Sequence, residues 1–271
     1  MSKPKDTAET PPSDAQGVRL DVAAWGLALA AGCRAVEIFL EAQSMAGAVG
    51  QAVLVEWGSS RLGVAWSDPA EPTTAAAIAR RALVGAAIGL GVAGLVFATL
   101  AATRGVTLGP AVSRVEASVL VLGFATAGLH AWRDELLLHG ITLRALGARS
   151  VPDVARVVAC GVTSAGAALG RSDATARTVF VALLLGVLFG ALWIRDRGAW
   201  QPWAAHAAFR WTTGTLLSGG LVHAELADDA WAGGSTGWIG GTAAAVALLP
   251  VSLGALAWIA RRLSPRSAGV G

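Results

Sequence analysis

The chain has 271 residues, 54% hydrophobic and only 14% charged, with a mean hydropathy of +0.58. A soluble globular domain carries about 25% charged residues, so the composition excludes a soluble fold of this size and also a disordered chain. The net charge of +3 comes without a block of like charge, which argues against a nucleic-acid partner.

In chain order, residues 1–17 are rich in Pro, Ser and charge and lack the apolar centre of a signal peptide, so a disordered tail is predicted. Apolar runs near membrane-spanning length follow. The first covers about 18–40 and holds Arg34 and Glu37, and the second covers about 45–58, extending at most to Trp66. A polar connection carries Asp68, Pro69, Glu71 and Pro72. The third run, about 82–102, has Gly and Ala spacing suited to close helix packing. The fourth, about 112–132, continues past polar residues to Leu146; the rest fall at about 151–169, 177–194, 199–219 and 239–260. The expected fold is all-α: a polytopic membrane helix bundle of about eight transmembrane helices. Its expected divisions are the tail 1–17, N-terminal transmembrane helices 18–110, a core 111–220, and an outer loop, last helix and basic tail over 221–271.

Lysine and arginine collect on the cytoplasmic side of membrane proteins. With both termini cytoplasmic, fourteen basic residues fall inside (Arg61, Arg80, Arg81, Arg144, Arg149, Arg195 and Arg262 among them) and four outside: Arg104, Arg114, Arg171 and Arg177. The outer loop 220–238 then carries Glu225, Asp228 and Asp229 and no basic residue. A bias to Ala, Gly and Arg suggests a high-GC bacterial source, hence the cytoplasmic (inner) membrane. Cys33 and Cys160 are isolated in apolar segments and are expected to be buried thiols. The eleven Trp, beside no Tyr at all, suit membrane interfaces, where an apolar ring with a polar N–H is at home.

Ionisable residues at membrane depth are costly and therefore mark function. One cluster, His130, Arg133, Asp134, Glu135 and His139, closes the fourth span. On a helix Glu135 and His139 are i,i+4 neighbours, as are His130 and Asp134. Arg133 and Arg144 can snorkel to water from a helix end, whereas adjacent acids before Leu136, Leu137 and Leu138 add electrostatic cost with no packing gain. The second cluster is His206 and Arg210 in WQPWAAHAAFRW, again at i,i+4. These five, Asp134, Glu135, His139, His206 and Arg210, are the candidate catalytic residues.

Both segments resemble the CPBP family of intramembrane proteases, which includes CAAX prenyl endopeptidases and bacteriocin-immunity proteins. The family's first motif is Glu-Glu-x-x-x-Arg followed by Gly and an apolar helix; here stand Asp134, Glu135, His139 and Gly140, then Ile141, Leu143 and Leu146. A late motif has a Gly-rich span, an Arg/Gly turn, Trp and then His-x-x-x-Asn; here stand Gly186, Gly190, Arg195, Gly198, Trp200, Trp203, His206 and Arg210. The resemblance covers about residues 115–213 and marks the 111–220 core as protease-like. The chain departs from the pattern at Asp134, at His139 in the arginine position and at Arg210 in the asparagine position. It also lacks the histidine of the middle motif, Phe-x-x-x-His, in the fifth span; Phe189 to Trp193 imitates that spacing one span later.

The resemblance implies an endopeptidase in which Glu135 activates water, Asp134 orients Glu135 or holds its proton, and His206 assists at the water or the oxyanion. His139 would pair Glu135 or stand in for the missing histidine, and Arg210 would supply a permanent positive charge. A carboxylate withdrawn from water is a stronger base, and donors aimed at an oxyanion gain strength where water is excluded. The implied substrate is a membrane-associated protein or peptide entering from the lipid bilayer, such as a C-terminal sorting tail of the kind ascribed to the myxosortase branch. The alternative is a catalytically inactive scaffold or immunity-type protein on the same bundle, with the cluster as a structural network. A proton relay in a small transporter is a third reading, without paired broken helices to support it. His and acid side chains here suit Zn²⁺, but the i,i+4 histidine pair of HExxH is missing, so no metal or other cofactor is expected.

Overall fold

A computed structural model of the chain describes residues 14–40, 45–68, 74–109, 117–218 and 221–263. The first thirteen residues of the predicted tail, with Pro69, Glu71, Pro72, Arg114 and Arg266, lie outside them. Helices are α1 (Asp14–Leu40), α2 (Met45–Arg61), α3 (Ala75–Ala102), α4 (Ala117–Asp134), α5 (Ile141–Gly147), α6 (Asp153–Leu169), α7 (Ala176–Asp196), α8 (Trp200–Trp211) and α9 (Thr242–Leu263). A π-helical segment, Glu135–Gly140, joins α4 to α5 without a break, and another, Thr212–Leu216, extends α8. Each of the eight predicted apolar runs thus overlaps a helix among the described residues. Three of them are long and apolar enough to cross a membrane by length and composition: Ala75–Ala102, Ala176–Asp196 and Thr242–Arg262. The protein is a helical membrane protein.

Helix ends are set locally. Thr74 caps α3 by accepting from the Ala77 N–H at 3.2 Å, and Thr175 and Thr178 form a reciprocal capping box at α7. Arg197 ends α7 in the left-handed region at φ 51°, which turns the chain into α8 within three residues.

At one end Ser67 bridges to Gly198, joining the α2–α3 and α7–α8 connections, and the Arg144 guanidinium at the end of α5 lies 3.4 Å from where a Cβ on Gly63 would be. At the other end β1 (Val106–Gly109) pairs antiparallel with β2 (His223–Leu226), Val106 opposite Leu226. Arg177 Nε donates to the Gly240 carbonyl at that same end, at 3.1 Å. This small sheet corrects the all-helical expectation for these two segments: four residues carry too short an alternation to register as a strand.

Packing follows the small residues. Gly85 and Gly89 of α3 lie so close to the carbonyls of Gln201 and Ala205 on α8 that a Cβ at either would overlap them. This is the close approach expected from the Gly/Ala spacing of the third span. One apolar core lies among α3, α7, α8 and α9 around Leu100, Leu188, Phe209 and Leu248. A second, with Val55, Leu136, Leu143, Cys160 and Trp193, lies beside the π segment. Cys33 and Cys160 are buried thiols in that second core.

Candidate active site

In the segment after Asp134, the Ile141 N–H donates to the Leu136 carbonyl five residues back. Such π segments recur at functional sites because the widened turn re-aims the side chains. Here they face inward: Glu135 is 0% and His139 2% exposed. The Leu217 N–H likewise reaches the Thr212 carbonyl just beyond Arg210. α8 lies against α3 on its glycine side and presents His206 and Arg210 to α4.

Two polar chains meet at this point. In the first, His206 Nδ1 is 3.0 Å from Glu135 Oε1, His139 Nδ1 is 2.9 Å from Glu135 Oε2, and His139 Nε2 is 3.1 Å from Ser164 Oγ of α6. In the second, Arg133 Nε donates to Asp134 Oδ1 at 2.7 Å, Arg210 Nη1 donates to Asp134 Oδ2 at 3.0 Å, and Gln51 of α2 accepts from Arg133. The chains approach where His206 Nε2 lies 4.0 Å from Asp134 Oδ2. All five sequence candidates, though split between segments 71 residues apart, are brought together. His130 is not joined in the same way: its Nδ1 is buried without a hydrogen-bond partner among the described residues.

The electrostatics follow from the partners. Asp134 faces both guanidiniums, and Glu135 faces both imidazoles. A carboxylate only accepts, so with Glu135 ionised both Nδ1 atoms carry protons. In the Nδ1–H neutral tautomer, His139 Nε2 accepts from the Ser164 hydroxyl and His206 Nε2 carries a lone pair. Phe189 of α7 stacks on His206 with centroids 4.5 Å apart and planes at 14°, which holds the ring in this orientation. Arg210 is the most open member, its side chain 37% exposed against 13% for His206. The order Ser164, His139, Glu135 has the connectivity of a nucleophile–base–acid triad. Ser164 Oγ is nevertheless lodged against Gly186 of α7, where even a Cβ would collide with it, which leaves no space for an acyl group.

Several members were missed in the sequence. Glu56 of α2 accepts from two indoles, Trp66 Nε1 at 2.9 Å and Trp132 Nε1 at 2.8 Å. Trp66 packs on Trp132 and Trp200 at 4.4 and 4.7 Å between centroids, with Trp203 donating to the Gly128 carbonyl at 3.0 Å. These tryptophans bind one another and the α2, α4 and α8 backbones together beside the site. The available signal was an acid inside an apolar span, the criterion that singled out Glu135. Gln51, Ser164 and Phe189 carried no comparable mark. Among the described residues, no group of three or more His, Cys, Asp or Glu is disposed to hold a metal ion.

No curated protein and no solved structure matches the chain. Residues 116–212, which carry the acidic pair, Ser164, Phe189, His206 and Arg210, match the family model "Type II CAAX prenyl endopeptidase Rce1-like", a membrane protease family consistent with the CPBP resemblance of the motifs.

Proposed function

We propose that this protein is an intramembrane endopeptidase whose base is the Glu135–His206 pair. The observation that carries the reading is the 3.0 Å contact between Glu135 Oε1 and His206 Nδ1 across two helices. Both oxygens of Glu135 are occupied by imidazole and the side chain is fully buried, so Glu135 acts on water through His206. His206 Nε2 takes the proton as water attacks the peptide carbonyl, and Glu135 stabilises the imidazolium that forms. Arg210, the most open cation, donates to the oxyanion. Asp134 holds Arg210 and Arg133 in place, and His139 fixes the second oxygen of Glu135. The catalytic core is the 111–220 segment. The substrate is a membrane-associated protein or peptide, with C-terminal sorting tails as the first class to test. The arginine-rich end faces the cytoplasm, both termini lie there, and the membrane is the cytoplasmic one.

The test is cleavage of membrane-tethered peptides, C-terminal tails among them, by the purified chain in proteoliposomes. Products should appear with the wild type and be lost with Glu135→Ala or His206→Ala. Undiminished cleavage in either variant overturns the assignment. One observation favours the inactive scaffold instead: every Asp134 and Glu135 oxygen already has a partner inside the protein, as a purely structural network requires. Rescue of a deletion strain by a Glu135→Ala/His206→Ala double variant would select that reading.

A further inference from the structure

A groove of about 240 Å³ opens between α3, α7 and α9, lined by Ile88, Leu188, Ala191, Leu192, Ala255 and Trp258, with Arg195 at its mouth. Its floor is apolar from Leu188 to Leu192, one face of α7 at helical spacing. Its mouth is cationic in an unusual way: the Arg195 guanidinium lies 5.9 Å and that of Arg262 4.1 Å from the centre of the same Trp258 ring. One indole thus gathers two like charges. Neither arginine is paired with a carboxylate among the described residues. The nearest acid in the chain, Asp196, is turned away to Arg81 at 3.4 Å and to the Gln201 N–H at 3.1 Å. Two like charges gathered on one ring repel, and an anion that reaches both offsets the repulsion. A second groove of about 360 Å³, between α7 and α9 at the opposite end, lacks this feature: its one arginine, Arg177, is tied to the Gly240 carbonyl.

We propose that the α3–α7–α9 groove binds one anionic phospholipid, an acyl chain along Leu188, Ala191 and Leu192 and the phosphate between Arg195 and Arg262. An apolar channel ending in two uncompensated guanidiniums beside an interfacial Trp has the chemistry of such a lipid and of no zwitterionic one. None of the groove's lining residues belongs to the Glu135–His206 network, and the proposal is independent of the proteolytic reading.

The experiment is native mass spectrometry of the full chain in detergent with equimolar phosphatidylglycerol and phosphatidylcholine of identical acyl chains, glycerol phosphate serving as the soluble headgroup control. Wild type should retain one phosphatidylglycerol in preference to phosphatidylcholine. Arg195→Gln and Arg262→Gln should each reduce that preference about fivefold, in line with the usual contribution of one basic residue near anionic lipid. Ala255→Phe, which fills the groove and keeps both cations, should reduce retention of both lipids. Arg171→Gln, at the other end, should change nothing. Melting and size-exclusion profiles in the same detergent check that each variant is folded. Equal retention of the two lipids by wild type, an unchanged preference in the Arg195→Gln/Arg262→Gln double variant, or equally tight glycerol phosphate binding would overturn the proposal.

Discussion

Replacing Glu135 by glutamine separates catalysis from architecture. The carboxylate accepts from His206 Nδ1 and His139 Nδ1 at 3.0 and 2.9 Å in a fully buried position. The glutamine oxygen can keep the His206 bond. Its amide then faces His139 Nδ1, which accepts once that ring moves its proton to Nε2, and Ser164 Oγ at 3.1 Å can receive it. No buried polar atom is orphaned, and two charge-assisted bonds become neutral ones, a loss of about 2 kcal/mol. Activity should suffer far more. Without the carboxylate, nothing stabilises the His206 imidazolium, and general-base catalysis worth about 10²–10⁴-fold should be lost from kcat with KM nearly unchanged. The assay is cleavage of a tethered peptide in proteoliposomes, run beside denaturation of the same preparation. A folded Glu135→Gln protein with activity within threefold of wild type would refute the mechanism and leave the network structural.

The remaining predictions concern the supports of the site and its orientation. Glu56→Ala strands the indole N–H groups of Trp66 and Trp132 and should cost about 2–5 kcal/mol by denaturant titration, with Glu56→Gln recovering most of it. Gly85→Leu or Gly89→Leu forces α3 off the α8 backbone; each should destabilise the bundle by about 1–3 kcal/mol or more and abolish peptide cleavage by displacing His206. Asp134→Asn leaves Arg133 and Arg210 facing each other; adding Arg210→Asn should recover stability, with a coupling of about 0.5–3 kcal/mol in the double-mutant cycle. A cysteine at Ser60 should be labelled by a membrane-impermeant maleimide only from the cytoplasmic side, and one at Asp228 only from outside; the reverse pattern would invert the topology read from arginine placement.

What the chain reveals before folding depends on the range of the interaction. Apolar runs are legible because a bilayer demands some 20 consecutive residues of them. Asp134 and Glu135 are legible because charge at depth needs a reason, and His139 because one helical turn separates it from Glu135. The contact with His206 is not, since it exists only once the glycine face of α3 lets α8 settle beside α4. The β1–β2 pair escapes for the same reason, with partners far apart and strands of four residues. Glu56 meets the same charge criterion, but Trp57 and Gly58 beside it read as the end of a span, where an acid needs no further reason. The absent middle-motif histidine is the sharper case. Read along the sequence, the substitution at 139 and the vacancy in the fifth span count as two losses. In three dimensions the two positions meet: His139 places its Nε2 on Ser164 of α6, in that same fifth span. A shorter side chain on the π segment is met by a hydroxyl on α6, and the chain of hydrogen bonds through Glu135 to His206 is continuous.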